Sequence, residues 1–259
     1  MSRARWVGRE LGPVLTGIAG LLVLWALLAA VVDSSSLPSP LAVWRSFLDG
    51  MRDGTIPDAA AKTLIRLAFS FAVAIAIGTA IGLGLALNEF ARRSVRPLIV
   101  ALQIAPPIAW LPLAVVWFGL SERAVVFVAI VGAFPSVTLA TLSAFRQVPP
   151  LWRRAGMTLG ARGWELYRSV IFPAALPGYV AGLQQAWGFA WKSLMAGELI
   201  VTGVRATGLG HLLAENQRDV PALLAAVAVI VAIGTAVDYL VFNQLDRRIR
   251  TRRGLLIQD

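Results

Sequence analysis

Long apolar runs alternate with short polar segments along this sequence. Six of the runs are about 20 residues or longer, which is the length that an α-helix needs to cross the hydrocarbon core of a bilayer. They lie at 11–32, 67–87, 98–118, 124–144, 176–201 and 222–242. The pattern predicts an all-α fold: a polytopic membrane protein with six transmembrane helices in a single domain over residues 1–259.

Two of the polar segments carry patterns of their own. Residues 41–52 place apolar side chains at three- and four-residue spacing, which is typical of an amphipathic helix lying on the membrane interface. Ser39 and Pro40 precede it as a helix-start signal. Residues 88–97 contain three arginines and are predicted to be a short basic loop.

The amino-acid composition supports the membrane assignment and excludes several kinds of site. Only 15% of the residues are charged and 58% are hydrophobic, whereas a soluble domain carries about 25% charged residues. The chain has no cysteine and a single histidine, His211. Disulfides and Cys-ligated metals are therefore excluded, a His-based metal cluster lacks ligands, and we expect no cofactor.

The positive charge predicts how the chain is oriented. The formal net charge is +10, and 22 of the 24 basic residues are arginines. If each of the six runs crosses the membrane, the segments between them alternate between its two sides. The segments on one side contain 16 basic residues and those on the other contain seven, and Lys192 lies inside the fifth run. Because basic residues accumulate on the cytoplasmic side, both termini and residues 146–175 are predicted to be cytoplasmic. Because the arginines are explained by membrane topology, we expect no nucleic-acid partner. The first run is predicted to be a transmembrane span that is not cleaved off as a signal peptide.

The third and fifth runs contain residues that are unusual inside a membrane helix. Pro106, Pro107 and Pro112 argue against a straight helix, and a packing kink and a pore-lining gate both remain open. Lys192 and Glu198 are six residues apart, hence about 120° apart around a helix, so each needs a partner elsewhere. Lys192 fits either a pathway for an anion or a cross-helix contact, and Glu198 fits a structural role better than a gate.

The longest polar segment, residues 146–175, predicts two short amphipathic helices. We expect them at Pro150–Leu159 and Gly163–Val170, with Gly160 between them and Pro173 ending the second. Such a helix–Gly–helix element on the cytoplasmic side would suit docking of a partner protein. An ordinary connecting loop fits the residue pattern equally well.

This segment resembles the signature cytoplasmic loop of ABC-importer permeases, E-A-A-x3-G-x9-I-x-L-P. Ala155, Gly160 and Pro173 match the pattern. Four positions depart from it: Arg154, Gly156, Val170 and Phe172. Further stretches, at 37–44, 106–113, 117–119, 190–191 and Glu198, look like the branch that imports nitrate, taurine, aliphatic sulfonates and related small solutes. The resemblance implies a small anionic substrate of this kind, and a heterocyclic vitamin precursor also stays open.

The resemblance implies the type I ABC-importer permease fold with a cytoplasmic coupling helix, in a bacterial inner membrane. It implies four kinds of partner: the lipid bilayer, two ATPase subunits, a second permease subunit that is the same or a different chain, and an extracytoplasmic substrate-binding protein. It assigns ATPase coupling to Arg154, Ala155, Gly156, Thr158, Leu159, Gly160, Ala161 and Pro173. It suggests a substrate pathway at Pro106, Pro107, Trp110, Trp191, Lys192 and Glu198.

The sequence contains no ATPase motif of its own. A Walker A loop needs glycine directly before its lysine, but Lys62 follows Ala61 and Lys192 follows Trp191. We therefore expect a transport subunit rather than an enzyme, with ATP hydrolysed by a partner chain. The alternatives are a secondary transporter, for which no second proline-broken repeat is visible, and a membrane enzyme, for which no cluster of reactive side chains is visible.

Overall fold

The computed structural model describes residues 3–31, 37–201 and 207–252, and the chain is helical in those ranges, with no β-strand. This confirms the predicted all-α class. The first helices are α1 (Arg3–Val31), α2 (Pro40–Arg52), α3 (Thr55–Leu87), α4 (Glu89–Ile104), a 3-10 turn (Pro107–Trp110) and α5 (Leu111–Phe118). They are followed by α6 (Glu122–Arg146), α7 (Pro150–Thr158), α8 (Gly163–Leu166), a π-helical turn (Tyr167–Ile171), α9 (Phe172–Ile200), α10 (Leu209–Glu215), α11 (Val220–Val237), a π-helical segment (Asp238–Asn243) and α12 (Gln244–Arg252).

Local capping signals set the starts of several helices. Ser39 Oγ accepts a hydrogen bond from the Ala42 amide at 3.3 Å, and Pro40 occupies the first turn, so α2 begins where predicted. Asn88 Oδ1 accepts from the Ala91 amide at 3.0 Å and starts α4. The prediction of a loop at 88–97 is therefore wrong, because the Asn88 cap starts a new helix directly after α3.

The proline-rich third run is broken, as predicted. Helix α4 ends at Ile104, and the axis turns by 99° between α4 and the Pro107–Phe118 segment. Pro106 and Pro107 lie at the break, where they remove two backbone donors.

Three helices, α3, α6 and α9, form the core of the molecule. Small residues allow α3 to approach α6 closely: a Cβ added to Gly78 would lie 2.7 Å from Val137 Cβ, and one added to Gly82 would lie 2.6 Å from Thr141 Cβ. Gly84 of the same helix has no described atom within 4 Å of a Cβ added to it. Apolar side chains from all three helices fill the interior between them, including Leu67, Val128 and Leu194.

Among the described residues, three helical segments are long and apolar enough to cross a membrane: Thr55–Leu87, Glu122–Arg146 and Val220–Asn243. The bent pair Glu89–Ile104 and Pro107–Phe118 makes a fourth if it counts as one span. Helix α9 has 29 residues but carries several polar side chains, and the described apolar part of α1 is the short Ala19–Val31. The count of six spans stays a prediction.

The second predicted helix of the 146–175 segment does not end at Pro173. The chain stays helical from Gly163 through Ile200, and Pro173 lies in the first turn of α9. The physical reason is the π-helical turn Tyr167–Ile171, which immediately precedes α9. A π-helical turn interrupts the regular i→i−4 hydrogen bonds of an α-helix, so the helix can continue through Pro173, whose nitrogen has no hydrogen to donate.

Candidate functional site

Glu198, near the end of α9, is the centre of a buried ion cluster. Its side chain is enclosed, with 3% of the residue exposed, and it forms an ion pair with Arg66 of α3. Thr63 Oγ1 lies 3.1 and 2.9 Å from the two carboxylate oxygens and donates to them, and the Gly210 amide donates to Oε2 at 3.0 Å. Both oxygens of the buried carboxylate therefore have donors, as a buried charge requires.

Arg66 connects this cluster to a third helix. One guanidinium nitrogen donates to Glu198 and also to the Thr207 carbonyl at 3.2 Å, and the other lies 2.9 Å from Glu122 Oε1 at the start of α6. The Arg66 side chain is 8% exposed and that of Glu122 is 66% exposed. The cluster thus ties α3, α6 and α9 together at one end of the bundle.

Two glycines allow the chain to cover Glu198. A Cβ on Gly208 would lie 2.5 Å from Glu198 Oε2, and one on Gly210 would lie 2.6 Å from Glu198 Cβ. Gly208 also has φ +150°, and the Leu209 amide donates to Thr63 Oγ1 at 2.9 Å. The segment Gly208-Leu209-Gly210 therefore closes the cluster by direct backbone contact.

Sequence reasoning identified Glu198 but missed both of its side-chain partners. Thr63 and Arg66 are three residues apart, which puts them on one face of α3 at the polar start of an apolar helix. That spacing was the available signal, but nothing in the sequence connects it to Glu198, 132 residues further on.

The six predicted pathway residues do not meet at one place. Glu198 is sealed, and Trp191 packs in the core, stacked on Trp187 at 6.1 Å between ring centroids. Lys192 is exposed and makes no ion pair with another described residue. Pro107 packs closely against α6, since its Cγ would lie 3.2 Å from a Cβ added to Gly132.

The two remaining pathway candidates, Pro106 and Trp110, flank Pro107. Pro106 is exposed and Trp110 is half-buried in the 3-10 turn. Asp238, within the sixth apolar run, accepts hydrogen bonds from Gln184 Nε2 at 3.1 and 3.2 Å.

A polar groove runs between α4, α6 and α9. It is a cavity of about 310 Å³ whose polar side chains are all neutral: Gln103, Ser136, Ser143, Gln147 and Gln185. A second cavity of about 510 Å³ shares Ser143 and Gln147 with it and adds three arginines, Arg92, Arg96 and Arg146. Amides and hydroxyls therefore line one part of the groove and guanidinium groups line its mouth, an arrangement that suits an anion.

The mouth of the polar groove carries a positive charge that the chain only partly neutralises. Arg92 pairs with Glu89, whereas Arg96 and Arg146 form no ion pair within the described ranges. No Asp or Glu among the described residues lines either cavity. Of the predicted pathway residues, Lys192 is seven residues beyond Gln185 on α9, so the two lie on one face of that helix.

The predicted coupling residues lie on and after α7, a short helix on the surface. Arg154, Ala155 and Thr158 are exposed, and Leu159 is 88% exposed. Gly156 is buried, because a Cβ there would lie 2.8 Å from Leu166 Cδ1 and 2.9 Å from Val170 Cγ2. This close contact explains a glycine where the permease pattern has its second alanine.

Gly160 ends α7 in a Schellman motif. Its φ is +94°, its amide donates to the Met157 carbonyl at 3.1 Å, and the Ala161 amide donates to the Gly156 carbonyl at 3.0 Å. Only glycine, or less readily asparagine, adopts this conformation at the end of a helix without strain. Pro173, the last coupling candidate, is half-buried at the start of α9.

Most of the chain matches the model of one protein family. A family model described as "Binding-protein-dependent transport system inner membrane component" matches residues 72–251. The matched region begins within α3 and includes the polar groove, α7 and Glu198.

Three curated relatives are named as permeases. The taurine transport system permease protein of Escherichia coli is 29% identical over 96% of this chain and 93% of its own length. The bicarbonate transport system permease protein of Synechococcus elongatus is 29% identical over 86% of this chain and 84% of its length. A putative ABC transporter permease of Methanocaldococcus jannaschii is 34% identical, over 54% of this chain and 53% of that protein.

A solved structure shows the same fold. A chain of the methionine ABC transporter MetNI, in an inward-facing conformation, superposes with a TM-score of 0.65 and covers 76% of this chain and 97% of that chain. The identity is 19%, so the likeness concerns the fold. The fold expected from the resemblance is confirmed.

Proposed function

Because the chain belongs to the family of binding-protein-dependent transport system inner membrane components, we propose that it is the pore subunit of an ATP-driven importer for a small anion. The substrate class we infer is a sulfonate such as taurine, or an oxyanion such as nitrate or bicarbonate. Two relatives support this, since they are named for taurine and for bicarbonate. The observation that carries the proposal is the polar groove with its arginine-lined mouth.

The polar groove is our candidate for one wall of the pathway. Its amides and hydroxyls are too polar to face lipid, so they need water or protein in front of them. A second permease subunit, placed with its own groove opposite, would enclose an aqueous passage. Lys192, exposed on the same face of α9 as Gln185, extends this wall, whereas sealed Glu198 and packed Trp191 do not.

The coupling surface is α7, which we infer to be cytoplasmic together with both termini. Its exposed residues Arg154, Ala155 and Leu159 would contact a separate ATPase subunit. Buried Gly156 rests on Leu166 and Val170, and the chain from there is helical into α9. A displacement of α7 would therefore reach α9, which forms part of the groove, without passing through a flexible loop.

Reconstitution in proteoliposomes tests the proposal. With its cognate ATPase and binding protein, this chain should accumulate one of taurine, an alkanesulfonate, nitrate or bicarbonate only when hydrolysable ATP is supplied. Accumulation driven by an ion gradient, with no ATPase present, would contradict the proposal and favour a secondary transporter.

Lys192→Met tests the pathway assignment within that assay. Uptake of the anion should be lost while assembly with the ATPase is unchanged. The matched control is Lys62→Met, since Lys62 is the only other lysine and pairs with Asp58 at 2.7 Å on the surface of α3. Equal uptake by both variants would refute a pathway role for Lys192.

A further inference from the structure

A third cavity lies at the end of the bundle opposite the buried ion cluster. Its volume is about 500 Å³, and its walls come from the end of α3, the end of α6, α7, and the chain leading into α9. Most of the wall is apolar, including Leu83, Leu87, Phe145 and Phe172. We name it the arginine pocket, because three arginines also line it: Arg146, Arg153 and Arg168.

The charge of the arginine pocket is uncompensated. No carboxylate lines the cavity, and none of its three arginines has an ion-pair partner in the described part of the chain. The Arg153 Nε atom is also buried without a hydrogen-bond acceptor. A buried N–H without an acceptor is costly, so this atom indicates that an oxygen ligand belongs in the cavity.

The pocket lies at the ends of two helices that are long and apolar enough to cross a membrane. Leu87 and Arg146 end α3 and α6, which are two of the helices long and apolar enough to cross the membrane. Trp164 and Tyr167 line the same pocket, and such aromatic side chains accumulate where hydrocarbon meets water. Apolar walls beside a cluster of arginines match a molecule with acyl chains and an anionic head.

A fourth cavity in the molecule has apolar walls like those of the arginine pocket but lacks its arginines. This cavity, of about 550 Å³, lies between α1, α2, α3 and α11 and is lined by apolar residues such as Trp25, Phe47 and Ile233, with no charged side chain among the described residues. Its walls suit an acyl chain but offer nothing to an anionic head. In the arginine pocket, the guanidinium groups supply that second feature.

We propose that the arginine pocket binds an anionic phospholipid, with its phosphate on Arg153 and Arg168 and an acyl chain along Leu83 and Phe145. Basic pockets between membrane helices bind anionic head groups in this way. Because Arg153 belongs to α7 and Arg168 to the π-helical turn that leads into α9, the bound phosphate bridges the coupling helix to the bundle. The inference rests on the proposed membrane orientation and gives the coupling helix a lipid-dependent position.

Native mass spectrometry with defined lipids tests the proposal. The wild-type chain should retain phosphatidylglycerol in preference to phosphatidylcholine, and the double variant Arg153→Gln/Arg168→Gln should bind phosphatidylglycerol about 30-fold more weakly. Arg162→Gln is the matched control, because Arg162 is exposed in the same segment and does not line the pocket. It should bind phosphatidylglycerol as the wild type does.

Two further measurements separate the possible outcomes. Millimolar inorganic phosphate should leave phosphatidylglycerol bound, and displacement by it would mean a free anion site instead. The proposal would be overturned if the wild type bound phosphatidylcholine as well as phosphatidylglycerol. It would also be overturned if Arg162→Gln lost as much phosphatidylglycerol binding as the double variant. If ATP-driven uptake is intact while lipid preference is absent, this inference fails and the proposed function stands.

Discussion

The two ends of the α3–α6–α9 bundle use arginine in opposite ways. At one end, Arg66 is enclosed and has two carboxylate partners, Glu198 and Glu122. At the other end, Arg146, Arg153 and Arg168 line a cavity to which the described part of the chain contributes no carboxylate. The first arrangement is complete within the chain, whereas the second has charge left for a ligand or a partner.

The two ends differ in how completely the buried charges are paired within the described part of the chain. Burying a charge is expensive, and an ion pair offsets that expense only when its remaining lone pairs and protons also find partners. The Arg66 and Glu198 groups meet this condition through Thr63, Gly210 and Thr207. That end therefore has its buried charges satisfied within the described residues, whereas the α7 end has a buried Arg153 Nε atom without an acceptor there.

Glu198→Ala should produce the largest loss of stability. It leaves Arg66 buried with only the exposed Glu122 as a counter-charge, and removing one partner of a buried pair costs about 3–5 kcal/mol. Thermal unfolding in detergent, followed by the fluorescence of the nine tryptophans, measures the loss. Glu122→Gln, at an exposed position, should cost less than about 1 kcal/mol, and an equal cost for both would contradict the cluster as described.

Gly210→Ala should have the next largest effect. The added Cβ would lie 2.6 Å from Glu198 Cβ and 2.9 Å from the Met195 carbonyl oxygen, so overpacking should cost about 1–3 kcal/mol in the same assay. Gly188→Ala is the control, since nothing lies within 4 Å of its Cβ position in α9. It should be neutral or stabilising by about 1 kcal/mol, and a similar loss in both would show that the close contact is unimportant.

Gly160→Pro addresses the α7 end and should act mainly on coupling. Proline cannot adopt φ +94° and lacks the amide that donates to Met157. The local cost is about 1–3 kcal/mol, while ATP hydrolysis in the reconstituted complex should continue without uptake. Gly160→Asn should keep coupling, because asparagine tolerates this conformation; normal uptake by the proline variant would remove α7 from the mechanism.

Arg168→Gln should have the smallest effect on stability. Arg168 is exposed and has no ion-pair partner among the described residues, so the free energy of unfolding should change by no more than about 0.5 kcal/mol. The same unfolding assay in lipid-free detergent measures it. A loss comparable to that of Glu198→Ala would erase the contrast between the two ends.

The sequence by itself determined the all-α class, several of the long helices and some of their boundaries. Apolar runs became α3, α6 and α11, because backbone groups in hydrocarbon must be satisfied within a helix. The prolines at 106 and 107 broke the third run, Ser39 started α2 and Gly160 ended α7, since each acts through its own dihedral angles or a bond to a near neighbour. The family resemblance also rested on such local runs.

Only the tertiary structure decided which polar groups meet. The Arg66–Glu198 pair, the polar groove and the arginine pocket each combine residues from helices far apart in the chain. Residue spacing reports the face of one helix but not which neighbour that face contacts. The packing of α3, α6 and α9 determines these contacts, because the close approaches at glycines fix which side chains of the three helices face one another. In this packing Glu198 is enclosed and Lys192 is exposed.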